Sequence, residues 1–202
     1  GRVSLVRLWA AFFFLGAAAG AVADRFLLTP TGNRVRPGTV RIEALAIAGR
    51  PTRSWLEAGI TTNLDLGVSH IAGGSASLDL TWNYLLPITD IAPGISFGLL
   101  DLADKTPERR AAYLAFTKRF GNMGDLNSDI PTEFTLGMWT RDKGQPFASV
   151  SFPFADQFRL IAETSGGEIR AGFDVRPIRD MSVRVVWMDG RPSAGLRLSQ
   201  KL

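Results

Sequence analysis

From Thr39 onward, apolar and polar residues alternate with a period of two, which predicts strands rather than helices. Leu56, Ala58 and Ile60 alternate with Trp55, Glu57, Gly59 and Thr61; Leu64, Leu66 and Val68 with Asn63, Asp65, Gly67 and Ser69; Leu78, Leu80 and Trp82 with Ser77, Asp79, Thr81 and Asn83. Further along, Phe134, Leu136 and Met138 oppose Thr135 and Gly137. Ile169, Ala171, Phe173 and Val175 oppose Glu168, Arg170, Gly172, Asp174 and Arg176. Val183, Val185 and Trp187 oppose Ser182 and Arg184. The pattern predicts strands near 39–48, 53–61, 63–71, 75–86, 94–102, 109–120, 132–141, 146–154, 157–165, 168–177, 181–188 and 193–200. That is twelve, with ten as the alternative count. Thr106–Phe120 also reads as a possible helix start, at Pro107-Glu108-Arg109-Arg110.

Turn signals punctuate the strands. Gly59-Ile60-Thr61-Thr62-Asn63, Pro87-Ile88-Thr89-Asp90, Pro153-Phe154-Ala155-Asp156 and Pro177-Ile178-Arg179-Asp180 are related, and Phe120-Gly121-Asn122 is a looser copy. Their spacing suits two strands of ~9–11 residues plus two turns, the unit of a transmembrane barrel. All five then fall on one side with both ends of the chain, which predicts a periplasmic side.

Residues 1–23 read as an export signal. Arg2 and Arg7 supply its positive region, Leu8–Leu15 its apolar region, and Ala21-Val22-Ala23 a cleavage site. Residues 24–38 read as a periplasmic lead-in, and 39–202 as the barrel. An uncleaved anchor or a buried helix is the competing reading of the leader.

Composition narrows the classes. No cysteine is present among the 202 residues, so disulfides and cysteine chemistry are excluded. One histidine, His70, argues against a histidine-cluster metal site. Charged residues make up 21% of the chain, too many for a bundle of membrane helices. Lys and Arg number 23 against 19 Asp and Glu, interleaved rather than blocked, so no nucleic-acid partner is indicated.

The alternation divides the sheet into an apolar face and a charged one. The charged face carries Glu57, Asp65, Asp79, Glu163, Glu168, Arg170, Asp174, Arg176, Arg184 and Arg197. In a membrane barrel the apolar face meets lipid and this charged set lines the lumen, either neutralising itself or selecting solutes. Trp55, Trp82, Tyr84, Trp139 and Trp187, near strand ends, suit interfacial girdles. The sequence therefore predicts an all-β, antiparallel up-and-down transmembrane barrel preceded by a signal peptide.

Candidate chemistry is sparse. Ser69-His70 brings hydroxyl and imidazole together in sequence, but neighbours on a strand point to opposite faces. A barrel lipase or deacylase would instead pair His70 with a serine such as Ser77 or Ser96 on a facing strand. Asp125-Leu126-Asn127-Ser128-Asp129 offers alternating oxygen ligands without the glycine and glutamate of a calcium loop. Gly121-Asn122-Met123-Gly124 does not follow the phosphate-loop pattern. No catalytic residue, cofactor site or metal site is expected.

The Gly59–Gly67 turn resembles the periplasmic hairpin of many bacterial outer-membrane barrels. Leu160–Phe173, with Gly166-Gly167 at its turn, and Asp189-Gly190-Arg191-Pro192-Ser193-Ala194-Gly195-Leu196 are similar to strand–turn–strand segments of YjbH-like barrels. That resemblance implies an association with exopolysaccharide export. Outer-membrane barrels in general usually end on an aromatic residue read by the barrel assembly machinery; here the last residue is Leu202. The expected role is a non-enzymatic outer-membrane barrel of a diderm bacterium, supporting exopolysaccharide export or acting as a narrow channel. Outer-membrane lipid, the barrel assembly machinery and polysaccharide export components are the expected partners. A soluble periplasmic ligand-binding barrel and a lipid-modifying outer-membrane enzyme are the alternatives.

Overall fold

The structure, a computed structural model, describes residues 27–106, 109–121, 130–140, 144–178 and 180–202. The expected signal (1–23), the start of the lead-in, and the aspartates Asp125 and Asp129 lie outside them. Twelve strands follow in order: β1 Thr39–Ile47, β2 Arg53–Gly59, β3 Leu64–Ile71, β4 Ala76–Leu85, β5 Gly94–Leu100 and β6 Ala111–Phe120; then β7 Thr132–Trp139, β8 Gln145–Ala155, β9 Phe158–Ser165, β10 Glu168–Ile178, β11 Met181–Met188 and β12 Arg191–Lys201. Each pairs antiparallel with its neighbour in sequence, and β1 closes on β12 from Thr39↔Lys201 to Ile47↔Ser193. The helix reading of Thr106–Phe120 gives way to β6, where Leu114 and Phe116 are exposed and Tyr113, Ala115 and Thr117 are buried.

Turn chemistry explains the sharp ends. Asp189 and Gly190 both take positive φ (51° and 75°), as do Gly166 and Gly167 (61° and 85°). This is the two-residue hairpin geometry that matches strand twist. Three register shifts, at Asn83/Leu85, Pro153/Ala155 and Val175/Ile178, all fall at the end of the barrel that holds the termini.

The polarity is inverted relative to a water-soluble protein. Ile42, Leu56, Phe97, Phe116, Leu136, Leu160, Phe173 and Val185 are each 40% or more exposed on the outer face. Arg41, Glu43, Glu57, Asp174, Arg184 and Arg197 are buried inside. A continuous apolar belt of this size in water far exceeds the few hundred Å² that soluble monomers tolerate. It matches the lipid-facing band of a membrane barrel. Phe154 stacks near Phe158 (5.9 Å between centroids) and Phe173 (6.3 Å), adding to Trp82 and Tyr84 a girdle at the end with the termini.

Two expected girdle residues belong elsewhere. Trp55 and Trp139 point inward and are 8% and 5% exposed. Trp139 donates its indole N–H to Ser165 Oγ at 3.1 Å and packs on Phe147. Phe147 in turn lies over Gly137, whose absent Cβ would sit 2.1 Å from the ring. Facing inward, the ring finds Ser165 for its N–H and Phe147 for its face, partners that proximity to a strand end does not reveal.

Segment 27–38 departs most from expectation. Residues 27–35 of the predicted periplasmic lead-in run inside the barrel, and residues 36–38 are exposed. Leu27, Thr29, Thr31, Asn33 and Val35 are all at most 1% exposed. Its physical reason is polar complementarity with the lumen wall, described next.

Candidate functional site

The charged residues on the inner face are directly opposed across strands. Arg41 faces Glu57, Glu43 faces Arg197, Asp174 faces both Arg159 and Arg184, Glu163 faces Arg170, and Arg119 faces Glu133. Register therefore places opposite charges side by side without any bend in the backbone. Arg184 Nη1 donates to Glu43 Oε1 at 2.5 Å, and Arg197 Nε and Nη2 donate to Glu43 Oε2 at 3.0 and 2.9 Å. Arg159 bonds Asp174, and Arg41 bonds Glu57, its Nε at 2.8 Å. Arg184 Nε and Arg176 Nε each approach Asp174 at 3.8 Å. A chain of alternating charge, Arg159–Asp174–Arg184–Glu43–Arg197, thus runs around the wall from β9 to β1.

The strap formed by residues 27–36 crosses the lumen beside this layer. The Glu163 carboxylate accepts hydrogen bonds from the backbone N–H of Leu27, Leu28 and Thr29 at 3.1–3.2 Å and from Thr29 Oγ1 at 2.8 Å. Gly32 N donates to Thr117 Oγ1 at 2.6 Å, and Ser96 Oγ donates to the Thr31 carbonyl at 2.6 Å. Asn33 bridges Glu133 (3.2 Å) and Arg119 (2.8 Å), and Val35 N donates to Asp65 Oδ2 at 3.1 Å. Leu27 completes an apolar cluster with Leu45, Ile47, Trp55, Ile161, Val186 and Met188. The route thus touches β9, then β5–β7, then β3.

On the far side of the strap from the chain termini lies a cavity of about 820 Å³. Leu28 and Pro30 form part of its floor. Its wall carries the carboxylates Glu57, Asp65 and Asp79 from β2–β4, Arg170 from β10, and the aromatic side chains Trp55, Tyr113 and Trp139. Arg170 holds Glu163 at 3.2 Å and also bonds Glu168 at the rim. Beyond β5, Asp101 closes its loop by accepting from the backbone N–H of Lys105 (3.0 Å) and Thr106 (2.7 Å). Burial opposes ionisation of Asp101, but these hydrogen bonds hold its carboxyl below the usual carboxylate range.

All ten sequence-selected charges occupy the inner-face register, but they separate into two groups. Glu57, Asp65, Asp79, Glu168 and Arg170 border the cavity. Asp174, Arg184 and Arg197 are buried in the ion-pair layer, where Arg176 also reaches Asp174, and Glu163 holds the strap. Sequence reading missed Arg41, Glu43, Arg119, Glu133 and Arg159. Period-two alternation around Val40, Ile42 and Ala44, and around Leu160 and Ala162, marks Arg41, Glu43 and Arg159 on the same face. Nothing in the sequence marked Asn33.

His70 sits on the opposite side of its strand from Ser69, in register with Ser54 and Ala76 at the rim, and is exposed. Ser77 and Ser96 face inward, and Ser96 is committed to the strap. Among the described residues, neither Ser77 nor Ser96 is in register with His70. His70→Ala is accordingly expected to leave any lipid-hydrolysing activity of the purified barrel at the level of the unsubstituted protein, measured with a chromogenic ester. Loss of a measurable activity would restore the enzyme alternative. Among the described residues there is no group of three or more side chains suited to a metal ion.

Fold and polarity define a membrane-spanning, closed antiparallel β-barrel. Two solved structures share this architecture: "KdgM porin" and "KdgM porin in complex with disordered oligogalacturonate", at 10% and 11% identity. Each aligns with TM-score 0.56 over 81% of this chain and 99% of that one. At that identity the likeness concerns the fold alone. The N-terminal β-barrel domain of Pseudomonas aeruginosa OprF aligns at 17% identity over 81% of this chain and 96% of that one, but with a TM-score of 0.24, too low to support an argument. No family model and no curated protein sequence matches the chain.

Proposed function

We propose that the protein is a non-enzymatic outer-membrane barrel of a diderm bacterium that forms a narrow, polar conduit. The observation that carries this reading is the combination of an apolar outer belt with a hydrogen-bonding lumen that opens into an 820 Å³ vestibule. The buried hydroxyls of Ser149, Ser151, Ser182 and Ser193 have no hydrogen-bond partner among the described residues. Such groups favour water as a partner, which suits a polar lumen that admits small solutes. Membrane lipid and the barrel assembly machinery are the partners this reading needs.

Purified barrel, verified by faster gel migration before boiling, is expected to give small, infrequent conductance steps in planar bilayers. Silence at every voltage and salt concentration, from folded barrel both unsubstituted and with its lumen side chains altered, would remove the channel reading.

A second, finer reading concerns saccharides, and Trp55, Tyr113 and Trp139 around the vestibule favour it. Aromatic faces beside carboxylate and guanidinium groups suit a sugar's mixed apolar and hydroxyl surface. The similarity in fold to KdgM porin in complex with disordered oligogalacturonate, and the YjbH-like resemblance of the Gly166-Gly167 and Asp189-Gly190 segments, point the same way. Support of exopolysaccharide export, with export components as partners, falls within this reading. The hairpin φ values show that both glycine turns also satisfy a generic backbone demand. Oligosaccharide is expected to quench the indole fluorescence with saturation; a linear response at millimolar concentrations would count against a saccharide site.

A further inference from the structure

We propose that residues 27–36 are a releasable plug that sets the resting state of the conduit to closed. The inference rests on the channel reading above. Three features separate this strap from an extra strand or a passive lead-in.

The first is how it is held. Within 27–36 the strap's hydrogen bonds to the wall run chiefly to side chains, those of Glu163, Thr117, Ser96, Glu133 and Asp65. A strand joined to the sheet by a backbone ladder would have to unzip along its length. Side-chain bonds can be exchanged singly for water as the segment withdraws. Glu163 gathers four of them on one carboxylate and acts as the latch.

The second is fit. A Cβ at Gly32 would meet the Gly94 carbonyl oxygen at 2.7 Å, and a Cβ at Gly94 would meet the Gly32 carbonyl oxygen at 2.5 Å. The strap and β5 therefore approach with their backbones almost in contact. Both glycines fit a wall shaped around this occupant.

The third is position. Leu28 and Pro30 floor the vestibule, and beyond them Glu133 and Thr117 are occupied by the strap rather than open. Withdrawal would free these two groups and join the vestibule to the opposite mouth.

Gly32→Val tests the plug with a change confined to the strap, leaving every wall residue intact. In planar bilayers it is expected to raise the mean conductance per barrel at least fivefold over the unsubstituted protein. Glu163→Gln, a second route to release, is expected to act in the same direction. A tether provides the converse. The chain has no cysteine, so Thr31→Cys with Ser96→Cys adds the only thiols, and a short bis(methanethiosulfonate) reagent bridges them by forming one disulfide to each cysteine with loss of two methanesulfinates. In the Gly32→Val background this bridge is expected to suppress the gain, and reductant to restore it.

Folding of each variant is checked by its heat-dependent gel shift. If the unsubstituted barrel conducts and both release variants conduct no more than it does, the plug is overturned and the channel reading stands. If all of them are folded and silent, the channel reading falls and the plug falls with it.

Discussion

Asp174→Ala is expected to destabilise the barrel by about 3–5 kcal/mol, the usual cost of removing one partner from a buried ion cluster. Asp174 is fully buried and faces Arg159 on one side and Arg184 on the other, with Arg176 nearby. Its loss leaves three guanidinium groups in a confined space with one carboxylate fewer. Glu43 already serves both Arg184 and Arg197, so no spare anion stands ready. The urea midpoint of barrel folded into lipid vesicles reads the effect directly. A shift below about 1 kcal/mol would mean that water surrounds Asp174 and screens its neighbours, as for exposed pairs. The ion-pair layer would then be hydrated with the strap in place rather than dry.

Leu136→Arg is expected to cost about 2–4 kcal/mol, because mid-strand positions on the outer face meet the centre of the bilayer. Leu136 lies in the middle of β7, paired with Phe116 and Ala148, and is 54% exposed. Ile178→Arg, at the terminus end of β10 and 64% exposed, should cost only about 0–1 kcal/mol, since charge is tolerated near the interface. The depth dependence is the decisive part. In a soluble barrel both positions are surface positions, and both changes would be nearly neutral. Equal, negligible effects would therefore favour the soluble periplasmic alternative.

Strand number, strand limits and the side of each turn were legible because the period of a strand and the residues of a tight turn are local properties. Asp189-Gly190 needs only its own backbone to declare a hairpin. The inner-face charges were legible by parity once one residue per strand had been assigned. Trp139 was misread because its ring answers to Ser165 and Phe147, three-dimensional neighbours on other strands. Trp55 shares the parity of Glu57, so alternation alone already placed it inside. The strap was illegible for a deeper reason. Leu27-Leu28-Thr29-Pro30-Thr31-Gly32 carries no pattern of its own, and its placement depends on the cross-section of a barrel formed by residues far along the chain.

The strap also fixes an order of events. It runs directly into β1, and β1 meets β12 along the seam that closes the sheet. The occupant of the lumen is thus synthesised before any of its walls and enclosed by the last strand made. Zipping Thr39 to Lys201 while the strap lies outside would leave it to thread through a finished mouth; zipping over it traps it in one step. Variants at Gly32 or Glu163 should therefore reveal themselves in the speed of barrel closure as well as in what the closed barrel lets through.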